Sequence, residues 1–377
     1  LPRVVRRLPA AEPRGAAGHG FFLKELRLRA VVLAAGHGNR LRPLTEFAPK
    51  PLLPVQGESI AGRTLGQLAR LGCEAAAVNL CHMGESIREH LGDSVDGMPL
   101  TYSPEEQLLG TLGALGPLEE FLRPADLVLV INGDSLCRWP LKRLVKKHQK
   151  SDAQATMLVS RRVDPGPFGG GVRLDEKNHI VAFRGSASAT EKDRHRVFMG
   201  AHVLSPGLLG GMRKGQPQDF VADLYEPLVS RGGLVKAVET NRPWHDLGTP
   251  QRYLEGVRDW VGQRLLPGVG SQSWVSEGAN LAKDVKLRRT VVERDCRINA
   301  GCYLADSLLL PGARVSERCH VAGSILGFGV VLPPGTSVEA RLVTTVRASS
   351  SPRPEDSVVG GLVYSPLEPV VGLGERC

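Results

Sequence analysis

Val31-Val32-Leu33-Ala34-Ala35-Gly36-His37-Gly38-Asn39-Arg40-Leu41-Arg42-Pro43-Leu44-Thr45, with Pro49-Lys50-Pro51 a few residues further on, is the stretch that decides how this chain folds. A short β-branched run feeds a turn containing Gly36 and Gly38, so a buried strand ends in a loop whose backbone amides stand open. Amides exposed in this way form nests for anions such as phosphate. Arg40 and Lys50 follow closely, where they can neutralise a polyphosphate. The combination points to chemistry on a nucleoside triphosphate. A glycine pair alone would suit a plain strand-to-helix turn. The stretch also lacks the Gly-Lys-Ser/Thr ending of a P-loop and the third glycine of a dinucleotide fingerprint.

The extended string resembles the signature of the sugar-1-phosphate nucleotidylyltransferases, L-A-G/A-G-x-G-T/S-R-L-x-P-L-T-x-x-x-P-K-P. It matches at Leu33, Ala35, Gly36, Gly38, Arg40, Leu41, Pro43 to Thr45, Pro49, Lys50 and Pro51. Asn39 replaces the usual Thr or Ser and keeps a polar side chain that tolerates a turn. By this resemblance Leu33, Ala34, Ala35, Gly36, Gly38 and Asn39 bind the nucleotide, and Arg40 and Lys50 are catalytic.

The 377 residues exceed what one core usually carries, so two domains are expected. With 42% hydrophobic and 23% charged residues the composition is that of a globular protein. No apolar run approaches the roughly 18 residues that span a bilayer, so no membrane insertion is expected. The formal charge of +9 suits anionic substrates through steering. Part of it is local, because residues 1–29 hold seven basic side chains against Glu12 and Glu25. Residues 1–28 are read as a basic, disordered extension. It lacks a secretory apolar core, and the lack of aromatics interleaved with its basic residues argues against a nucleic-acid partner. Seven cysteines without a Cys-x-x-Cys pair suggest reduced thiols and a cytoplasmic location.

From Ala30 the pattern alternates in the α/β manner. Ala30–Leu33, Ala75–Asn79 and Leu127–Asn132 read as strands, and Ile60–Leu71 and Leu141–Gln149 as helices. This implies a Rossmann-like, mostly parallel sheet over residues 29–262, with ligands at the carboxyl ends of its strands. Past about residue 265 the pattern becomes hexads. Val285, Val291, Tyr303, Leu309, Val315 and Val321 share one six-residue register, and Leu326, Leu332 and Val338 continue it after a one-residue slip. Arg297 breaks the register, with Ile298 beside it. Such hexads predict a left-handed parallel β-helix over residues 268–346, with 347–377 as a loose tail or cap.

Two further segments carry carboxylates. Val128-Leu129-Val130-Ile131-Asn132-Gly133-Asp134 places Asp134 beyond an apolar strand, at the ligand edge of the sheet. Trp244-His245-Asp246-Leu247-Gly248-Thr249-Pro250 offers a second aspartate, while His245 is read as a packing residue. A carboxylate pair next to phosphates supplies the hard oxygens that Mg²⁺ requires. The resemblance implies that Asp134 and Asp246 jointly hold catalytic Mg²⁺.

Ser103 to Leu115 resembles the family's E-x-x-x-L-G-T-A-G-A-L segment, which implies that Glu105, Gly110 and Thr111 border the nucleobase. Phe168-Gly169-Gly170-Gly171-Val172 and Phe198-Met199-Gly200 resemble the two sugar-pocket segments, placing Gly169 and Gly200 at the sugar. The family's F-x-E-K-P is replaced by Phe183-Arg184-Gly185-Ser186-Ala187, which lacks both the acid and the lysine.

The expected protein is an enzyme that joins a nucleoside triphosphate to a sugar 1-phosphate with release of pyrophosphate. The W-H-D-L-G-T-P string followed by hexads looks most like the mannose-1-phosphate guanylyltransferase type. Uridylyltransferases acting on glucose, N-acetylhexosamine or N-acetylmuramate phosphates are the neighbouring alternative. A regulatory subunit that binds a nucleotide sugar without turnover is disfavoured, because Arg40, Lys50, Asp134 and Asp246 are all present. An acyltransferase role for the hexads is disfavoured because His320 stands alone there. The hexads are assigned to packing or to a homo-oligomer.

Overall fold

The computed structural model describes residues 26–166, 171–183, 194–213, 215–262, 273–347 and 352–367. Strand β1 (Leu28–Leu33) lies at the centre of the first sheet, parallel to β2 (Ala75–Leu80) on one side and β4 (Leu127–Asn132) on the other. β3 (Met98–Pro104) extends the sheet beyond β2. Past β4 lie β7 (Arg194–Leu204), then β6 (Ala155–Ser160) and β8 (Val235–Thr240). Only β7 among these strands runs against the others. β1 and β4 are apolar almost throughout, as strands covered on both faces must be.

The helices form where their sequences predict. α1 (Ile60–Leu71) starts at Ser59, whose Oγ accepts from Gly62 N at 3.1 Å, and stops at Gly72 with φ +97°. Its buried side carries Ile60, Ala61, Thr64, Leu65 and Leu68, each large aliphatic contributing about 2 kcal/mol by burial. α2 (Leu141–Gln149) turns Leu141, Leu144, Val145 and His148 inward and its lysines outward. α3 (Pro250–Gly262) buries Tyr253, Leu254, Val257, Trp260 and Val261.

The second domain is a parallel β-helix of three sheets, giving the expected architecture of an α/β domain followed by a left-handed hexapeptide β-helix. Its coil is shorter than three hexads. Val275, Val292, Leu309, Leu326 and Val343 stack in register with partners 17 residues apart. One side of every coil therefore has five residues, and the single slip read from the sequence recurs in each coil. This corrects the predicted register. Val291 points out of the coil toward α3 while Val292 fills the interior, and half-buried Tyr303 gives way to Leu304. Ile298 is interior and Arg297 exposed. The corners turn through left-handed backbone, at Asp295, Gly312 and Gly329 on one edge and Arg289, Asp306, Gly323 and Ala340 on another.

Two predicted boundaries move. The extension does not run to 28, because Leu26 packs on the core, Arg27 pairs with Asp126 at 2.7 Å and Leu28 is fully buried in β1. The stretch from 347 is not wholly loose either: Ser357–Val359 and Leu362–Pro366 form a hairpin lying antiparallel on Arg341–Thr345 of the last coil.

The two domains share one apolar seam containing Leu41, Leu44, Leu53, Val55, Tyr253, Val257, Trp260, Val291, Leu308 and Ile325. Polar contacts fix it. Tyr253 donates its hydroxyl to Pro54 O at 2.6 Å, and Arg258 pairs with Asp306 at 2.8 Å. Buried Glu293 accepts from the backbone N–H groups of Gln56 and Gly57, both at 2.8 Å. Burial raises the Glu293 pKa to about 7, outweighing those two donors and the nearby Arg63 and Arg294.

Candidate active site

The loop after β1 is shaped by contacts only glycine permits. Gly38 has φ +65°, and a Cβ there would lie 2.7 Å from Thr45 Cγ2. Thr45 itself is buried and donates its hydroxyl to Gly38 O at 3.0 Å, tying the two ends of the loop together. At the end of β4, Gly133 donates to Leu33 O at 2.8 Å, and a Cβ on it would meet that same oxygen at 2.8 Å. Asp134 is thereby brought beside the first loop.

A cleft of about 210 Å³ opens between these segments, lined by Leu33, Ala34, Gly36, Gly38, Asn39, Arg40, Lys50, Pro51, Asp134 and Gly248. Ala35 is buried behind it. Lys50, though almost fully buried, projects Nζ to 2.7 Å from Asp134 Oδ2 and 3.7 Å from Asp246 Oδ1. Asp246 comes from Trp244–Asp246, which pairs antiparallel with β5 (Ser135–Cys137) just beyond Asp134. A Cβ on Gly248 would sit 3.2 Å from the Asp246 carboxylate and 3.3 Å from Arg40 Nη2, so Arg40 lies on the same side of the cleft.

Arg252, to which the sequence analysis gives no role, donates to Asp246 Oδ2 at 2.8 Å. It sits in the first turn of α3, six residues past its partner, and this short spacing was the available signal. His245 points the other way, toward α3, where a Cβ on Gly256 would approach its Cβ to 3.0 Å. Burial lowers the His245 pKa in spite of Asp259 and Glu255, as suits a packed neutral ring.

Glu105, Gly110 and Thr111 belong to a network of support contacts. Glu105 is buried, accepting from Asn79 Nδ2 at 2.7 Å on one oxygen and from Leu109 N at 2.9 Å on the other. Asn79 in turn accepts from Ala34 N at 2.6 Å through Oδ1. Glu105 therefore braces the first loop through Asn79, a residue the sequence reading missed. Gly110 has φ +73° and lies so close to Gln218 that a Cβ would reach its carbonyl oxygen at 2.5 Å. Thr111 donates to Asp219 Oδ2 at 3.1 Å and accepts from Phe220 N at 3.1 Å. Gly200 on β7 stands against Asn132, where a Cβ would meet the side chain at 3.0 Å. Gly169 and Arg184 to Ala187 lie outside the described residues.

Among the described residues no three His, Cys, Asp or Glu side chains form a metal cluster. The two aspartates do converge on one cationic group, Lys50 Nζ, with Asp134 part-exposed to the cleft. A site of two carboxylates completed by substrate oxygens and water fits a hard divalent cation.

These features define a nucleotide-binding α/β enzyme, and comparison with known proteins agrees. Residues 29–261 match the family described as nucleotidyl transferase, and residues 262–344 match the GlmU-like C-terminal hexapeptide family. The chain belongs to the nucleotidyl transferase family. It is 31% identical over 303 residues to a mannose-1-phosphate guanylyltransferase of Mycobacterium tuberculosis, covering 78% of this chain and 82% of the relative. A UTP–glucose-1-phosphate uridylyltransferase of Synechocystis is 26% identical, over 84% of this chain and 87% of its own. A probable mannose-1-phosphate guanylyltransferase 1 of Oryza sativa subsp. japonica is 25% identical, over 80% and 86%.

Proposed function

We propose that this enzyme condenses a nucleoside triphosphate with a sugar 1-phosphate, giving a nucleotide sugar and pyrophosphate, with GTP and mannose 1-phosphate as the substrates. The observation that carries this reading is Lys50 held between Asp134 and Asp246 beside the Gly36–Gly38 loop. The guanylyltransferase names among its relatives support the choice of substrates.

An oxygen of the sugar phosphate attacks the α-phosphorus in line, a new P–O bond forms, and the bond to the β-phosphate breaks. No protein nucleophile is needed, so catalysis is positioning and charge stabilisation. The amides of the Gly36–Asn39 loop, with Arg40, hold the β- and γ-phosphates. Lys50 meets the charge that grows on the α-phosphate. Glu105, Gly110 and Thr111 set the walls on the base side and Gly200 that on the sugar side, where the family resemblance also assigns Gly169. Asp134 and Asp246 would hold Mg²⁺, which when bound neutralises phosphate charge. Arg252 fixes the Asp246 carboxylate. In this reading residues 29–262 are the catalytic domain and 268–346 the β-helix.

We assign the protein to the cytoplasm as a homo-oligomer. Six free cysteines among the described residues support a reducing setting, and the exposed Val358 and Val359 on an edge strand support self-association. No helix among the described residues is long and apolar enough to cross a membrane.

The test is pyrophosphate release with Mg²⁺, crossing four nucleoside triphosphates with a panel of sugar 1-phosphates. Release with GTP and mannose 1-phosphate is expected. Release only with UTP and glucose 1-phosphate would transfer the assignment to the uridylyltransferase reading that the Synechocystis relative favours. Silence with retained nucleotide-sugar binding would overturn catalysis in favour of a regulatory subunit.

A further inference from the structure

His37 and His82 take no part in the chemistry above, yet the fold brings them together. His37 stands at the tip of the Gly36–Thr45 loop, between the two glycines, and its side chain is exposed. His82 is half-buried in the turn between β2 and the helix Gly84–Leu91. That turn is tight: Met83 has φ +51°, a left-handed conformation that a long side chain rarely takes. The ring centroids of the two histidines lie 5.6 Å apart, with their planes inclined by 58°.

The ring nitrogens decide what the pair can do. His82 Nε2 stands 3.4 Å from Thr45 O, and a carbonyl only accepts, so Nε2 carries the proton and Nδ1 keeps its lone pair. A ring N–H held on a backbone carbonyl is the arrangement that orients metal-binding histidines. Thr45 also donates its hydroxyl to Gly38 O, so His82 is braced against the segment that carries His37. Neither Nδ1 of His82 nor either nitrogen of His37 bonds to a described residue. An ion about 2.0–2.1 Å from one nitrogen of each ring would lie about 3.2 Å from each centroid, placing the centroids about 5.3 Å apart at a tetrahedral angle. The 5.6 Å observed is close to the spacing of two imidazoles on one ion.

We propose that His37 and His82 form a site for a divalent transition ion of the zinc, nickel, cobalt or copper class. Imidazole suits these ions, whereas Mg²⁺ seeks oxygen ligands and does not compete for the pair. No third His, Cys, Asp or Glu among the described residues joins them, so water fills the remaining positions and the ion exchanges freely. Bound there, the ion fastens the tip of the loop to the turn that follows β2. The loop amides that close round the phosphates are then held in one position, so the ion opposes binding of the nucleoside triphosphate. This last step rests on the function proposed above; the existence of the site does not.

The experiment is calorimetric titration of the full chain with NiCl₂ in the absence of nucleotide. Wild type is expected to bind Ni²⁺ with Kd below about 100 μM, and Asp134→Asn to bind it alike. His37→Ala and His82→Ala should each weaken binding by about tenfold or more, since losing even a supporting contact costs a metal site that much. His37 is exposed, so its variant decides the outcome if His82→Ala does not fold. Electron spin resonance of the Cu²⁺-loaded chain gives a second readout: nitrogen coupling from both rings in wild type, and from one in His37→Ala. Absence of Ni²⁺ binding overturns the proposal. So does binding that both histidine variants retain, because the ion then sits on thiols or carboxylates. In pyrophosphate-release assays with excess Mg²⁺, Ni²⁺ at about ten times its Kd should raise the KM for nucleoside triphosphate by about threefold or more in wild type but not in His82→Ala. A rise that His82→Ala keeps comes from nickel on the nucleotide or the aspartates, and overturns the coupling while retaining the site.

Discussion

Lys50 Nζ lies 2.7 Å from Asp134 Oδ2, joining two residues 84 positions apart across the mouth of the nucleotide cleft. Lys50 is buried and Asp134 is not, so the pair offers its carboxylate side to an incoming ligand while its ammonium is fixed from behind. Asp134→Asn should fold and lower turnover by about a hundredfold or more, since charge placed for the transition state is worth several kcal/mol. Lys50→Ala should fall at least as far. Steady-state pyrophosphate release with a thermal melt checks both. Near-normal turnover in Asp134→Asn would remove that residue from the proposed metal site.

Gly38 and Gly36 should respond unlike each other to the same added methyl group. A Cβ at Gly38 collides with Thr45 on a left-handed backbone, whereas one at Gly36 meets nothing within 4 Å. Gly38→Ala should cost about 1–3 kcal/mol of stability and Gly36→Ala well under 1 kcal/mol. Denaturant melts of the two variants decide it, and equal losses would remove the strain argument.

Asn79 ties Ala34 to Glu105, so Asn79→Ala leaves one buried amide and one buried carboxylate without their partner. We expect a loss of about 1–3 kcal/mol in stability. The KM for nucleoside triphosphate should rise more than kcat falls, since the chain of contacts shapes the loop and does not touch the reacting phosphates. A selective fall in kcat would contradict that placement.

The junction between the domains should weaken as pH rises. Glu293 has a folded pKa near 7, above the usual glutamate value of 4.5, so its contribution is complete below about pH 4.5 and is lost as pH climbs through 7. Arg63, Arg294 and the Tyr253 hydroxyl surround it, and only the carboxyl titrates in this window. Unfolding free energy from denaturant melts between pH 5 and 8 should fall more steeply in wild type than in Glu293→Gln, by on the order of 2 kcal/mol. Parallel slopes would show that Glu293 is not the group responsible.

What the chain announces in sequence is its local order. The helix over Ile60–Leu71 and the strand over Leu127–Asn132 follow from periodicity and their flanking caps, and the structure has them at those residues. That the Gly-rich loop, Lys50 and Asp134 line one cleft was legible in the motifs, while the phosphate chemistry assigned to them belongs to the proposed function. Asn79 and Glu293 were not legible. Their work depends on partners chosen by the tertiary fold, as when Glu293 meets Gln56 from 237 residues away. The 17-residue coil was half legible: six-residue spacing dominates any short window, and the missing residue shows only when several coils are laid side by side.

That coil also acts as a gauge. Strands in a sheet are spaced by about 4.8 Å, so the stack lengthens or shortens only in steps of that size. Arg347 and Arg353 stand at its far end and donate to the carbonyls of Glu46 and Arg42. A chain with one coil more or fewer would carry them a whole step past those carbonyls. The number of coils is therefore a setting for the Gly36–Thr45 loop and the turn after it, fixed by how far the second domain is built before the chain doubles back.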